Sequence, residues 1–102
     1  MKLALVTAGF RRLGAAIAAR LAEDGWALAL HGRKIETPDP TLAAMLALHK
    51  THWRGFAADL SDPQAVAALL PAVQAHFGAV PTLLVNNASR FDWDDQDSVT
   101  AQ

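Results

Sequence analysis

The chain has no cysteine and no tyrosine. Without cysteine there is no disulfide framework and no thiolate zinc site. A surplus of charge of either sign is missing too: nine Lys and Arg stand against ten Asp and Glu, so no net field draws the chain to nucleic acid or to an anionic membrane. Any basic spot must act locally, on a small ligand. Nor is there a long apolar run. Leu3 to Val6, preceded only by Lys2 as a basic residue, is far shorter than the ~20 residues of a membrane span and too short for a signal core. These absences predict a soluble, cytoplasmic domain with neither nucleic acid nor membrane as partner.

What is present is apolar: 52% of the residues, which excludes a disordered tail, in a length that allows one domain with a modest core. Leu3 to Thr7 predicts a strand. After a glycine-containing turn, a helix from Leu13 to Asp24 carries Ile17 and Leu21 at helical spacing and stops at Gly25. Trp26 to His31 is an apolar run without polar alternation, as in a parallel strand covered on both faces. Thr41 is a candidate cap for a second helix with Leu42, Met45, Leu46 and His49 on one face. Arg54 to Ala58 predicts a third strand. Asp62 and Pro63 open a third helix carrying Val66, Leu69, Leu70, Val73 and Phe77 and ending at Gly78. Within it Pro71 withholds the amide due to Ala67 and predicts a kink or a split. Thr82 to Asn86 is the fourth strand.

Strands alternating with such helices imply right-handed crossovers and an α/β fold, a Rossmann-type doubly wound parallel sheet in the order 3-2-1-4. Residues 1–102 then form a single partial dinucleotide-binding domain, with Leu83, Leu84 and Val85 on an apolar edge that a missing second half would cover. His49, His52 and His76 lack a carboxylate partner at ligand spacing, so no metal is assigned. Trp26, Trp53 and Trp93 are read as packing residues.

Three segments carry the chemistry. Thr7-Ala8-Gly9-Phe10-Arg11-Arg12-Leu13-Gly14 runs from a strand into a helix. Glycine there lets a backbone approach a pyrophosphate, and the helix N-terminus offers free amides and a positive dipole end. Two glycines can also be plain punctuation, and the general G-x-G-x-x-G pattern is not met. Arg11 and Arg12 add cationic forks for phosphate oxygens or a polar ring edge. After the second strand, His31-Gly32-Arg33-Lys34 has fixed cations and no carboxylate before Glu36. That favours the 2′-phosphate of NADP over the bare ribose of NAD, unless the run is an ordinary solvated loop. The third segment is Asn86-Asn87-Ala88-Ser89-Arg90-Phe91, at the end of the fourth strand.

In these motifs the chain resembles the short-chain dehydrogenase/reductase family and, within it, the pteridine reductases. Thr7, Arg12, Leu13 and Gly14 match their T-G-x-x-x-R-L-G, with Ala8 in place of the first glycine, and the third segment matches their N-N-A-S-x-F. The resemblance implies NADPH as cofactor, touched by Gly9, Arg11, Arg12, Leu13, Gly14, His31, Arg33, Lys34, Asp59, Leu60, Asn87, Ala88 and Ser89. It implies a substrate site at Arg12, Ser89 and Phe91, where a flat pterin such as dihydrobiopterin, dihydromonapterin or dihydrofolate would stack. Asp59 can instead cap a turn, and Phe91 can be a core aromatic. A generic carbonyl or alcohol reductase, or a dinucleotide-binding module without catalysis, would share the same cofactor half. The resemblance further implies a homo-oligomer, a tetramer, for a full-length parent. Its proton donor is the Tyr of Y-x-x-x-K, and with no Tyr here no catalytic residue is assigned and the chain alone is expected to be inactive.

Overall fold

The computed structural model describes residues 1–87. The order is β1 (Leu3–Val6), α1 (Arg12–Glu23), β2 (Ala27–Gly32), α2 (Pro40–Leu48), β3 (Trp53–Ala57), α3 (Pro63–Phe77) and β4 (Leu83–Val85). The four strands form one parallel sheet in the order β3-β2-β1-β4, as the alternating pattern predicts. Leu5 aligns with Ala29 on one side and Leu84 on the other, so β1 is central.

Both faces of the sheet are covered, because a strand's side chains alternate. Ala4, Val6, Leu28 and Leu30 point to the layer of α1 and α2, where Ala15, Ala18, Ala22, Leu42 and Leu46 meet them. Leu3, Leu5, Ala27 and Ala29 point the other way, to Leu69, Val73 and Phe77 of α3. Alanine recurs on the inner face of α1, a pattern that brings a helix close to a sheet. Leu3, Leu28, Leu30 and Leu42 are wholly buried, each contributing about 1.5–3 kcal/mol. Every residue of β1 and β2 is buried, whereas those of β4 are half-buried or exposed.

Some local expectations shift. Asp39, not Thr41, caps α2: its carboxylate accepts from the Thr41 N–H at 3.1 Å, with Pro40 opening the helix. Proline fits a first helical position, where its missing amide is no loss, so the cap falls to the residue before it. Of the proposed α2 face, Leu42 and Leu46 are buried, Met45 is half-buried and His49 is exposed at the helix end. Asp62 caps α3 as expected, and Gly78 ends it in the left-handed conformation at φ 71°. Pro71, however, does not split α3, which runs unbroken through it. Ala67 and Pro71 both lie on its exposed side, where water can satisfy the Ala67 carbonyl. Val66 and Leu70 are exposed as well, outside the stripe of Leu69, Val73 and Phe77. Trp26 and Trp53 are half-buried against the core, and Lys2 Nζ lies 5.4 Å from the Trp26 ring centroid. Trp93 falls outside the described residues.

Candidate dinucleotide site

Parallel strands deliver their following loops to one edge of the sheet. At that edge the segment 7–11 leaves β1 and enters α1. Ala8 has φ 53°, and Arg12, the first residue of α1, has φ 57°; both adopt the left-handed region that suits glycine. Gly14 has no such freedom to use but has no spare room either: a Cβ there would come within 2.0 Å of the Ala8 carbonyl oxygen and 2.8 Å of Asn87 Nδ2. The helix thus begins pressed against both the β1 turn and the end of β4. Its first turn has neither a capping side chain nor an acidic residue, so its leading amides and positive dipole end are open to an anion. Arg12 and Leu13 are exposed there, and Gly14 is buried.

Phe10, which the sequence reading passed over, anchors the turn. Its buried ring occupies the space that side chains on Gly32 and Gly55 would need, and its carbonyl accepts from the Asp39 N–H at 2.9 Å. The loop after β2 therefore folds back onto the turn after β1. A second tie joins the same two segments: Arg11 Nε lies 3.1 Å from Glu36 Oε1. Arg33 and Lys34 are exposed, and among the described residues neither they nor Arg12 has an ion-pair partner.

His31, expected to touch cofactor, has its ring turned onto backbone groups of the protein. It is buried, and its Nδ1 faces the Ala8 N–H at 3.2 Å while Nε2 lies 2.9 Å from the Ala58 carbonyl oxygen. An amide can only donate and a carbonyl only accept, so the ring carries its proton on Nε2. Its carbonyl also accepts from the Gly9 N–H at 2.9 Å. The imidazole braces the ends of β1, β2 and β3 together, and both its nitrogens are committed to backbone.

At the end of β3, Asp59 Oδ1 accepts from the Ser61 N–H at 2.9 Å and from the Ser61 hydroxyl at 2.7 Å, the turn-capping geometry. Leu60 is half-buried against the α3 layer. At the end of β4, the Thr7 hydroxyl accepts from the Asn87 N–H at 2.7 Å and lies 3.2 Å from Asn86 Oδ1. Thr7 thereby fastens β4 to the turn, holding half-buried Asn87 beside Gly14. Ala88, Ser89 and Phe91 lie outside the described residues. So Gly9, Arg11, Arg33, Lys34 and Asn87, on loops, and Arg12, Leu13 and Gly14, in the first turn of α1, lie at one sheet edge, with Asp59 and Leu60 after β3 tied to them through His31 and Ala58.

A displaced pKa is found apart from this edge, on α3. His76 is lowered from its ordinary 6.5, first by desolvation, then by the Arg54 guanidinium and by His52. Arg54 Nη1 is 3.0 Å from His76 Nδ1.

A family model described as short chain dehydrogenase matches residues 2–101. The chain is 40% identical over 87 residues to a D-threitol dehydrogenase of Mycolicibacterium smegmatis, a match covering 85% of this chain and 33% of that protein. A crystal structure of a short-chain dehydrogenase/reductase from Sinorhizobium meliloti 1021 superposes with a TM-score of 0.75 at 35% identity, over 93% of this chain and 43% of that one. An alcohol dehydrogenase from the archaeon Thermococcus sibiricus, complexed with 5-hydroxy-NADP, gives 0.70 at 30% identity over 81% of this chain and 35% of that one. The chain spans 28% to 36% of the length of the curated relatives it matches.

Proposed function

The chain belongs to the short-chain dehydrogenase family, and from that membership we propose that it holds NADPH for an oxidoreductase acting on a small molecule. One observation carries the reading: an uncapped, acid-free helix start at the carboxyl edge of a parallel sheet, flanked by the exposed cations Arg12, Arg33 and Lys34. The open amides of α1 suit a pyrophosphate, and Gly14 permits the close packing beneath them. Arg33 and Lys34 suit a 2′-phosphate. When bound, the nicotinamide supplies the hydride. The chain's own residues bind and orient: Arg12 and the helix start hold negative oxygens, Asn87 is held beside them by Thr7, and His31 keeps the loops in register.

The substrate is a pterin on the strength of the Arg12-Leu13-Gly14 and Asn86 to Phe91 motifs, with the Ser89 hydroxyl as a polar contact and Phe91 as a stacking face. A carbonyl or alcohol substrate is the second reading, favoured by the D-threitol dehydrogenase relative. No tyrosine occurs in the chain, so the phenolic proton donor that the resemblance implies is not among these residues, and turnover by them alone is expected to be absent. A cytoplasmic location and, at full length, homo-oligomers accompany this reading. Among the described residues no helix is long and apolar enough to cross a membrane.

Calorimetric titration with NADPH and NADH tests the cofactor: NADPH binds more tightly, and Arg33→Asp inverts the preference. Tighter NADH binding to the unaltered chain would overturn it. For the substrate, pterin fluorescence in the presence of NADP follows binding, and Phe91→Ala weakens it about threefold to tenfold, the loss of an aromatic stacking partner. NADPH binding without pterin binding selects the second reading.

A further inference from the structure

At the end of the described sheet opposite β4 stands β3, paired on one side only, with β2. The Leu28 amide donates to the His52 carbonyl at 2.9 Å and the Ala58 amide to the Gly32 carbonyl at 3.0 Å. Backbone groups alternate in direction along a strand. Arg54 and Phe56 therefore direct theirs to β2, while Trp53, Gly55 and Ala57 turn theirs outward. An open groove of about 660 Å³ follows this edge, with residues 54–57 as its floor. It is lined from both faces of the sheet: Ile35 stands beside Gly55 on the Phe10 side, and Ala72 and His76 of α3 stand on the Phe56 side. A groove that wraps a strand from both faces, with backbone donors and acceptors at its base, has the shape of an extended chain.

We propose that the open edge of β3 docks an extended acidic peptide, which joins the sheet as a further strand and lays a carboxylate against Arg54. Among the described residues the ionisable groups of the groove are Arg54 and His76, and no carboxylate lines it. Arg54 is exposed. Its guanidinium carbon lies 5.8 Å from the Phe56 ring centroid, and its Nη1 donates to His76 Nδ1 at 3.0 Å. No Asp or Glu pairs with it among the described residues, so the rest of its fork is open to a carboxylate. Phe56, Ala72 and Ala75 offer apolar surface on the same side, suited to side chains two positions from the acid, because every second residue of a strand faces one way. A cation on an edge strand discourages pairing with a second copy of itself; an acidic partner turns that charge into a contact. β4 presents Leu83, Leu84 and Val85 and no cation, so charge directs an acidic chain to β3.

The probe is an acetylated, amidated heptapeptide with threonine at the odd positions, valine at the second and sixth, and glutamate at the fourth. It is titrated into the 102-residue chain, with amide hydrogen exchange read residue by residue. Binding slows exchange at Trp53, Gly55 and Ala57 at least about fivefold, as new strand pairing does, and leaves β4 unchanged. Glutamine in place of the glutamate weakens binding about threefold to fivefold at low salt, and lysine weakens it further. Arg54→Gln brings the glutamate and glutamine peptides within about 1.5-fold of each other. Absence of binding at about 1 mM probe, protection at β4 instead of β3, equal affinity for the three peptides, or an undiminished preference for glutamate in Arg54→Gln overturns the proposal. So do two other outcomes. Competition by N-acetylglutamate amide as strong as that of the heptapeptide would make the groove a small-carboxylate site, and edge amides of β3 already protected without peptide would give the edge to a second copy.

Discussion

Arg12 occupies a backbone conformation that costs an L-residue about 1–2 kcal/mol and glycine almost nothing. Its φ of 57° opens a helix whose first-turn amides have no side-chain cap, so a strained residue carries a cation at the place where an anion would bind. Replacing it with glycine separates the two effects. Arg12→Gly is expected to raise stability by about 0.5–1 kcal/mol in chemical denaturation, relief of strain less the entropy of a more flexible unfolded chain. The same change is expected to weaken NADPH binding about fivefold or more through the lost charge-assisted contacts. Tighter binding in the glycine variant would show that the arginine does not face the ligand. His31 is the opposite case, a residue whose role is internal. His31→Leu fills a similar space but leaves the Ala8 amide and the Ala58 carbonyl without the partners they have at 3.2 and 2.9 Å. The expected loss is about 2 kcal/mol, the cost of one buried and one part-buried backbone group left unpaired, with weaker dinucleotide binding as the turn loosens. A stability within about 0.5 kcal/mol of the unaltered chain would mean that water replaces the ring at both groups.

The strand order, the parallel pairing and the Asp62-Pro63 start of α3 were legible because they rest on periodicity and on punctuation by proline, glycine and aspartate, which act within a few residues. The cap of α2 was misread by two positions, since Thr41 and Asp39 are both good caps and only the placement of Pro40 separates them. Of the site, the turn and the basic loop were legible as motifs. The inward ring of His31, the ring of Phe10 seated over Gly32 and Gly55, and the Arg11 to Glu36 pair were not. Each is a contact between segments far apart in the chain, and no local pattern specifies it. Pro71 shows the same limit from another side: whether a helix tolerates proline depends on whether water reaches the freed carbonyl. Pro71→Ala restores the missing bond to Ala67 and is expected to stabilise the chain by about 1–2 kcal/mol, less than the full helix-interior penalty because the proline also restricts the unfolded chain. Unchanged thermal stability would indicate that the solvated carbonyl costs nothing. On the same helix, His76 holds its proton less tightly in the folded chain than its ordinary 6.5, so the unfolded chain binds more protons just below that pH. Its contribution is present above about pH 6.5 and is lost as pH falls through the lowered folded value. Thermal denaturation between about pH 7.5 and 5 should show a shallower decline for His76→Gln than for the unaltered chain, by a small margin because the group is exposed. A parallel decline would assign the slope to other groups.

At the scale of the whole molecule the sheet is finished on one side only in the sense of burial. β1 and β2 are buried throughout, while Leu84 of β4 is 61% exposed and Leu70 and Val66 of α3 are 54% and 43% exposed. In the described sheet β4 is also a terminal strand, so its outer backbone groups have no neighbouring strand. An uncharged apolar terminal strand is a template for another strand, whether from the same polypeptide or from a second copy. The 102-residue chain in isolation is therefore expected to associate as its concentration rises, which sedimentation velocity measures directly. Leu84→Lys places a charge on that strand, where it must be desolvated for a second strand to pair, and it should shift the association to about tenfold higher concentration, the effect of one buried unpaired charge partly relieved by its flexible stem. The substitution spares the core because Leu84 is 61% exposed and belongs to neither buried cluster. Association that is unchanged by Leu84→Lys would move the contact to another surface, and the exposed Ile35 at 59% and Leu48 at 71%, remote from β4 in sequence, would be the next residues to charge.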